Sequence, residues 1–187
     1  MTRIIAGAAG STTLRVPKSG TRPTSDRVRE ALFSSLESRG LVDDTAVADL
    51  YAGTGALGLE AASRGAVEVV LVDRGAAAAA ACRENARIVK QRVPGVRIDV
   101  HAQPALGFLR GTVRTFDLVF IDPPYEVTEH EIAEVLEALV PRLTADAVVV
   151  VERSKRSPEP SWPAGLEAFS KRSYGETVAW EAVVAAA

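Results

Sequence analysis

The sequence predicts an α/β fold built on a mostly parallel sheet, and three features carry that prediction. From residue 46 onward, short apolar and β-branched runs alternate with longer stretches of helical periodicity. That order gives parallel strands covered by helices. The first buried strand runs straight into Gly53-Thr54-Gly55-Ala56-Leu57-Gly58, a G-x-G-x-x-G turn that opens a helix. The tail then breaks the rhythm, with two β-prone runs around Tyr174-Gly175-Glu176 that predict a hairpin adding an antiparallel edge.

In chain order, residues 3–7 and 12–17 are short β-prone runs around Ala8-Ala9-Gly10-Ser11 and predict a small hairpin outside the main fold. Residues 1–20 are therefore read as an N-terminal extension and 21–187 as the main domain. Lys18 to Pro23 is a loop punctuated by Gly and Pro, after which Thr24 or Ser25 caps a helix with Asp26 in its first turn. Val28, Ala31, Leu32, Ser35 and Leu36 share one face of that helix, and Gly40 ends it. Strands are expected at 46–50, 67–72, 96–101, 116–121 and 147–151, and the tail adds 166–172 and 177–184. Helices are expected at 56–64, 76–92, 104–110 and 129–140. The last opens with a capping box, Thr128 and Glu131, and aligns Ile132, Val135, Leu136, Leu139 and Val140 on one face.

A chain of 187 residues fits one domain or one domain with an appendage. At that size folding buries about 70% of the unfolded surface, enough for a core without staples. The single cysteine, Cys82, excludes an internal disulfide and fits a reducing compartment. The start, Met-Thr-Arg-Ile-Ile-Ala-Gly, carries no signal-peptide apolar region, and no apolar run approaches membrane-spanning length. A cytoplasmic protein that needs no membrane is expected. Residues 1–40 hold seven Lys/Arg against three carboxylates, a charge of +4 in a chain whose net charge is −2. A basic end on an acidic body points to a local polyanion contact rather than a protein that coats nucleic acid everywhere.

Asp49 sits just before the glycine loop, and Asp73 lies twenty residues after Gly53 at the end of the next expected strand. Two cofactors suit this layout. A dinucleotide such as NAD would use the glycines for its pyrophosphate and Asp73 for its ribose. A pyrophosphate disfavours a nearby anion, however. S-adenosylmethionine (SAM) has no phosphate, and its sulfonium and amino group favour an adjacent carboxylate, so SAM is the preferred reading. The candidate contacts are Asp49, Tyr51, Ala52, Gly53, Gly55, Asp73 and Arg74. After the third strand, Gln103 and Ala105 are placed to read an adenine edge.

The strand Phe116–Ile121 ends abruptly at Asp122-Pro123-Pro124-Tyr125. Neither proline can donate a ladder hydrogen bond, so the strand stops there. Asp122 and Tyr125 are then presented at the carboxyl end of the sheet, where open α/β sheets bind their ligands. The Asp122 carboxylate and Pro123 carbonyl can hold both hydrogens of an exocyclic amine and leave its lone pair facing an electrophile. Tyr125 can stack on the base, an interaction of roughly 1–3 kcal/mol. The alternative is a turn that closes a core strand, with Asp122 capping the next helix. Asp-Pro-Pro-Tyr resembles the signature of SAM-dependent amino-group methyltransferases.

Over nearly its whole length the chain resembles the bacterial 16S ribosomal RNA (guanine-N2)-methyltransferase family. The resemblance lies in Arg3-Ile4-Ile5-Ala6-Gly7, Arg22-Pro23-Thr24-Ser25-Asp26-Arg27-Val28-Arg29-Glu30, residues 49–60, Phe116 to Tyr125 and Arg172-Ser173-Tyr174-Gly175. It implies a Rossmann-like class I SAM-dependent methyltransferase fold with seven strands and an N-terminal hairpin that helps hold RNA. It also implies the guanine N2 amine as methyl acceptor in an assembled or assembling small ribosomal subunit. The catalytic residues would be Asp122, Pro123, Pro124 and Tyr125, with Asp122 also bordering the cofactor. Arg3, Arg15, Arg22, Thr24, Arg27 and Arg29 would contact RNA; for Arg22, Arg27 and Arg29 the alternative is ion pairing with Glu30 on a helix surface. No metal is required, and a monomer is expected. The chain departs from the family in Ala8-Ala9-Gly10-Ser11-Thr12-Thr13, where several basic residues are common, and in Pro104, where Asp or Asn is usual. DNA methylation remains open as a reading, with cytosine C5 chemistry needing Cys82 as nucleophile. A non-catalytic, SAM-holding RNA assembly factor remains open too.

Overall fold

A computed structural model describes residues 2–16 and 25–186. Two two-residue strands, β1 (Thr2–Arg3) and β2 (Thr13–Leu14), precede α1 (Asp26–Ser38). The alternating part follows as β3 (Ala46–Asp49), α2 (Ala56–Ser63), β4 (Glu68–Val72), α3 (Ala76–Arg92), β5 (Arg97–His101), α4 (Ala105–Gly111), β6 (Phe116–Ile121) and α5 (Glu129–Leu139). A single 3-10 turn, Val140–Arg142, leads into β7 (Leu143–Ser154), β8 (Leu166–Tyr174) and β9 (Thr177–Val184).

The main sheet has seven strands in the order β5-β4-β3-β6-β7-β9-β8. β5, β4, β3, β6 and β7 are parallel, and β9 pairs antiparallel with both β7 and β8. Alternate residues feed two apolar layers, as the pleat requires. Val47, Val69, Leu71, Leu118, Phe120, Val148 and Val150 pack against Leu32, Phe33 and Leu36 of α1, Leu59 of α2 and Val89 of α3. Ala48, Val70, Val72, Val119, Ile121, Val149 and Val151 pack against Phe108 and Leu109 of α4 and Ile132, Val135, Leu136 and Leu139 of α5. Strand order reverses between β3 and β6, so the carboxyl ends of these two neighbours open a crevice.

The helix starts follow the expected chemistry. Ser25 Oγ accepts the Val28 N–H at 3.3 Å and caps α1. Thr128 and Glu131 form the reciprocal capping box of α5. β7 is longer than expected because Glu152, Arg153 and Ser154 continue past β6 and pair with Ala179, Val178 and Thr177 of β9.

The N-terminal segment differs from the expected free-standing hairpin over 3–7 and 12–17. Its strands are two residues each, and Ile4, Ala9 and Leu14 are buried in the layer beneath α1–α3. The backbone between them is tied to α2: the Ile5 and Ala6 N–H groups donate to the Glu60 carboxylate at 2.8 and 3.0 Å. The Ala8 and Ala9 N–H groups donate to the carbonyl and hydroxyl oxygens of Ser63. Gly7 is required by this approach, since its φ is +77° and a Cβ there would meet the Ser63 carbonyl oxygen at 1.9 Å. The polar groups of α2 outcompete ladder pairing for these amides.

Candidate active site

One cavity of about 1070 Å³ occupies the crevice at the carboxyl ends of β3, β4, β6 and β7. Its floor is Asp49, which is only 1% exposed. Asp49 Oδ2 accepts the Gly58 N–H at 3.0 Å, while Oδ1 is buried with no hydrogen-bond partner among the described residues. Burial, reinforced by the nearby Asp122 and Asp73 charges, pushes the Asp49 carboxyl up to about 7. A buried acceptor of this kind calls for a cation or a donor from a ligand.

Asp73, on the turn after β4, accepts the Gly53 N–H at 2.9 Å on one oxygen and the Gly75 N–H at 2.7 Å on the other. Each oxygen keeps a lone pair that can accept a hydroxyl. All three amides of the glycine motif are therefore spent inside the protein, because Gly55 N–H donates to the Ala52 carbonyl. A pyrophosphate would find no free amide at Gly53, Gly55 or Gly58, and would face two carboxylates. The dinucleotide reading fails on both counts. SAM fits the donor set: Asp49 Oδ1 suits its ammonium and Asp73 its ribose hydroxyls.

The residues named from sequence divide clearly. Tyr51, Ala52, Gly53, Asp73, Arg74 and Ala105 line the cavity with Asp49. Gly55 does not; it sits behind the loop at φ +80°, where a Cβ would press on Leu59 and Leu71 at 3.1 Å, so its part is to form the turn. Gln103 is also off the wall, which at this point is made by Pro104, Ala105 and Leu106. The residue before a proline is held extended, and the wall begins only at Pro104, the residue that precedes α4.

Asp122, Pro123, Pro124 and Tyr125 line the same cavity, with the Asp122 charge near enough to act on Asp49. Val127 N–H donates to the Pro124 carbonyl at 3.0 Å and closes the turn. Asp122 is half-buried, Pro123 buried and Tyr125 59% exposed. Arg153, on β7, braces the turn by donating to the Val127 carbonyl and to Glu129 of α5. Glu152 beside it is 3% exposed and lines the same cavity. Neither Glu152 nor Arg153 was expected; the signal for them is a charged pair terminating the run Val148-Val149-Val150-Val151 at a ligand-binding strand end. The cavity continues past them to Ser25 and Val28 of α1 and to Tyr174 and Thr177 around the β8–β9 turn.

The expected RNA-contacting arginines fare unequally. Arg29 is a correction: its side chain is fully buried, with its guanidinium bonded to the Arg3 carbonyl and to Asp26 and lying 3.8 Å from Glu60. It holds the N-terminal segment to α1 and α2 and cannot reach a phosphate. Arg3 and Arg15 are largely exposed but pair with Asp26 at 3.3 Å and Glu84 at 2.9 Å. Arg27 is exposed and belongs to no ion pair among the described residues. Arg22 and Thr24 lie outside the described residues.

Cys82 is buried, its Sγ 3.3 Å from the Gly53 carbonyl, to which it donates. Burial, with Asp49 and Asp73 adding to it, raises its thiol far above the ordinary range. No thiolate forms there, so Cys82 is not a nucleophile for cytosine C5 chemistry. Among the described residues no group of three or more His, Cys, Asp or Glu side chains is set to hold a metal ion, and no helix is long and apolar enough to cross a membrane.

Comparison with known proteins bears on what this cavity does. A family model described as Conserved hypothetical protein 95 matches residues 2–182. The chain is 32% identical over 177 residues to ribosomal RNA small subunit methyltransferase D of Escherichia coli (strain K12), covering 93% of this chain and 85% of that one. A solved structure of a hypothetical protein of Thermus thermophilus superposes with a TM-score of 0.81 at 32% identity, covering 99% of this chain and 100% of that chain. Magnesium protoporphyrin IX methyltransferase (ChlM) from Synechocystis PCC 6803, solved with bound SAM, shares the fold at a TM-score of 0.66 and 14% identity, covering 89% and 87% of the two chains.

Proposed function

The chain belongs to the Conserved hypothetical protein 95 family, and from that membership we propose that it transfers a methyl group from SAM to the exocyclic N2 of one guanine in 16S ribosomal RNA. The substrate is an assembled or assembling small subunit, in keeping with the name of the E. coli relative, ribosomal RNA small subunit methyltransferase D. One observation carries the reading. The Asp122-Pro123-Pro124-Tyr125 turn and the buried Asp49, whose Oδ1 has no hydrogen-bond partner among the described residues, line a single cavity at the switch point of the sheet. An amine acceptor site and a cation site are thereby brought together.

When bound, SAM supplies an electrophilic methyl group on a sulfonium. The protein's part is to hold and orient. Asp49 accepts from the ammonium of the amino-acid moiety, and Asp73 accepts from the ribose hydroxyls. Asp122 and the Pro123 carbonyl accept the two N2 hydrogens of a guanine swung out of its helix, a movement that costs a few kcal/mol of unstacking. Tyr125 at the mouth stacks on that base and offsets part of the cost. With the amine pinned, its lone pair faces the donor side of the cavity, and this positioning lowers most of the barrier. Asp122 is also placed to take the proton that the amine loses. Arg3, Arg15 and Arg27 border the expected RNA approach, with Arg27 the least encumbered.

The test is mass spectrometry of ribosomal nucleosides from cells with and without the protein. Loss of N2-methylguanosine at one small-subunit site is expected. An unchanged ribosomal profile would contradict the proposal.

A further inference from the structure

Beside Asp122, a second and more deeply buried carboxylate, Glu152, lines the cavity. Ile121 of β6 and Val151 of β7 are paired residues, and the next residues of the two chain segments are Asp122, directly after β6, and Glu152, continuing β7. Such strands run about 4.8 Å apart, close enough for both carboxylates to converge on one base edge. Both line the cavity, and Glu152 is 3% exposed. The buried Arg29 guanidinium feels the Glu152 charge from the protein side, while the other side of the carboxylate borders the ligand space.

We infer that Glu152 reads the guanine N1–H and so confers base specificity on the amine-holding turn, an inference that rests on the guanine-N2 reading above. The Asp122 turn alone accepts any exocyclic amine. What differs between bases is the ring atom beside that amine. Guanine offers N1–H, a donor; adenine offers the N1 lone pair and cytosine the N3 lone pair, both acceptors. A carboxylate at this position bonds the first and repels the other two. Specificity therefore comes from an attractive contact to guanine and a repulsive one to its competitors.

The test uses 2-aminopurine, which keeps the amine but has a bare ring nitrogen where guanine carries N1–H. Small subunits are reconstituted with 16S RNA carrying either guanine or 2-aminopurine at the position the wild-type protein methylates. Wild type is expected to favour guanine by about 10²-fold in kcat/KM. Glu152→Gln, whose amide can also donate to the bare nitrogen, is expected to bring the two within about tenfold. Glu152→Asp, which keeps the charge, should retain a preference for guanine. Melting temperature and SAM affinity of each variant report whether the fold is intact. If wild type methylates both bases equally, or Glu152→Gln keeps the wild-type ratio while binding SAM, the inference is overturned and Glu152 plays no part in base choice. If wild type places no methyl on guanine N2 at all, the functional reading fails and this inference with it.

Discussion

Asp49 is half-used: one oxygen fastens Gly58, and the other waits in the cavity. Its carboxyl titrates near 7 in the folded protein against 3.8 ordinarily. Between about pH 4 and 7 the folded, unliganded protein therefore holds a proton that the unfolded chain has released. The stability this residue contributes is present at acid pH and is lost as pH rises through about 7. Ligand binding carries the opposite sign, because an ammonium favours the carboxylate and expels the proton. SAM affinity is expected to rise with pH by up to tenfold per unit below about 7 and then level. Asp49→Asn should bind SAM more weakly and with a flat profile in that window. Calorimetry across pH checks both, and a flat wild-type profile would remove Asp49 from the cofactor site. Cys82 supplies the complementary expectation: Cys82→Ala should retain methyl transfer, since its thiol stays protonated. Turnover lost with the fold intact would overturn that. At this scale the sequence placed Asp49, Asp73 and Asp122 at strand ends, and the structure brings all three to one cavity. It was misleading at Arg29, where a basic residue in a basic segment looks identical whether it meets solvent or fills a core.

Helix α2 links the cavity to the N-terminal segment. Its first turn positions the Gly58 N–H under Asp49, and its last presents Glu60 and Ser63 to residues 5–9. Glu60 and Arg29 are fully buried, and Arg64 is nearly so. Burial works against the Arg64 guanidinium, but its hydrogen bonds to Glu60, Glu30 and Glu37 outweigh that and raise its pKa. Removing one partner of such a cluster strands the others without compensation. Glu60→Ala is expected to cost about 3–5 kcal/mol of stability in denaturant unfolding and to release the Ile5 and Ala6 amides to fast hydrogen exchange. Retained protection at those amides would show that the core contacts of Ile4 and Ala9 alone hold the segment. Element positions were largely legible, since strand and helix periods, caps and the Asp-Pro-Pro stop are local signals. The N-terminal hairpin was not, because its partners, Glu60 and Ser63, lie more than fifty residues away and no local pattern encodes such a pairing.

At the scale of the molecule, strand order determines where the chemistry sits. β3 and β6 are neighbours in space but not in sequence, and their carboxyl ends bring Asp49 and Asp122 to one crevice. The alternating sequence predicts a parallel sheet, and the Gly-rich and Asp-Pro-Pro turns mark its ligand-binding rim. The far wall, from Glu152 through Tyr174 to Ser25, was not foreseen, because it is assembled by the antiparallel pairing of β9 with an extended β7. The most direct test supplies labelled SAM to small subunits that lack the modification, with wild-type protein and with Asp122→Ala, and identifies the methylated nucleoside by mass spectrometry. The expected result is N2-methylguanosine at one position with wild type, and no transfer by the variant although it still binds SAM. Turnover by Asp122→Ala, or a methyl group on any other atom, would contradict the account.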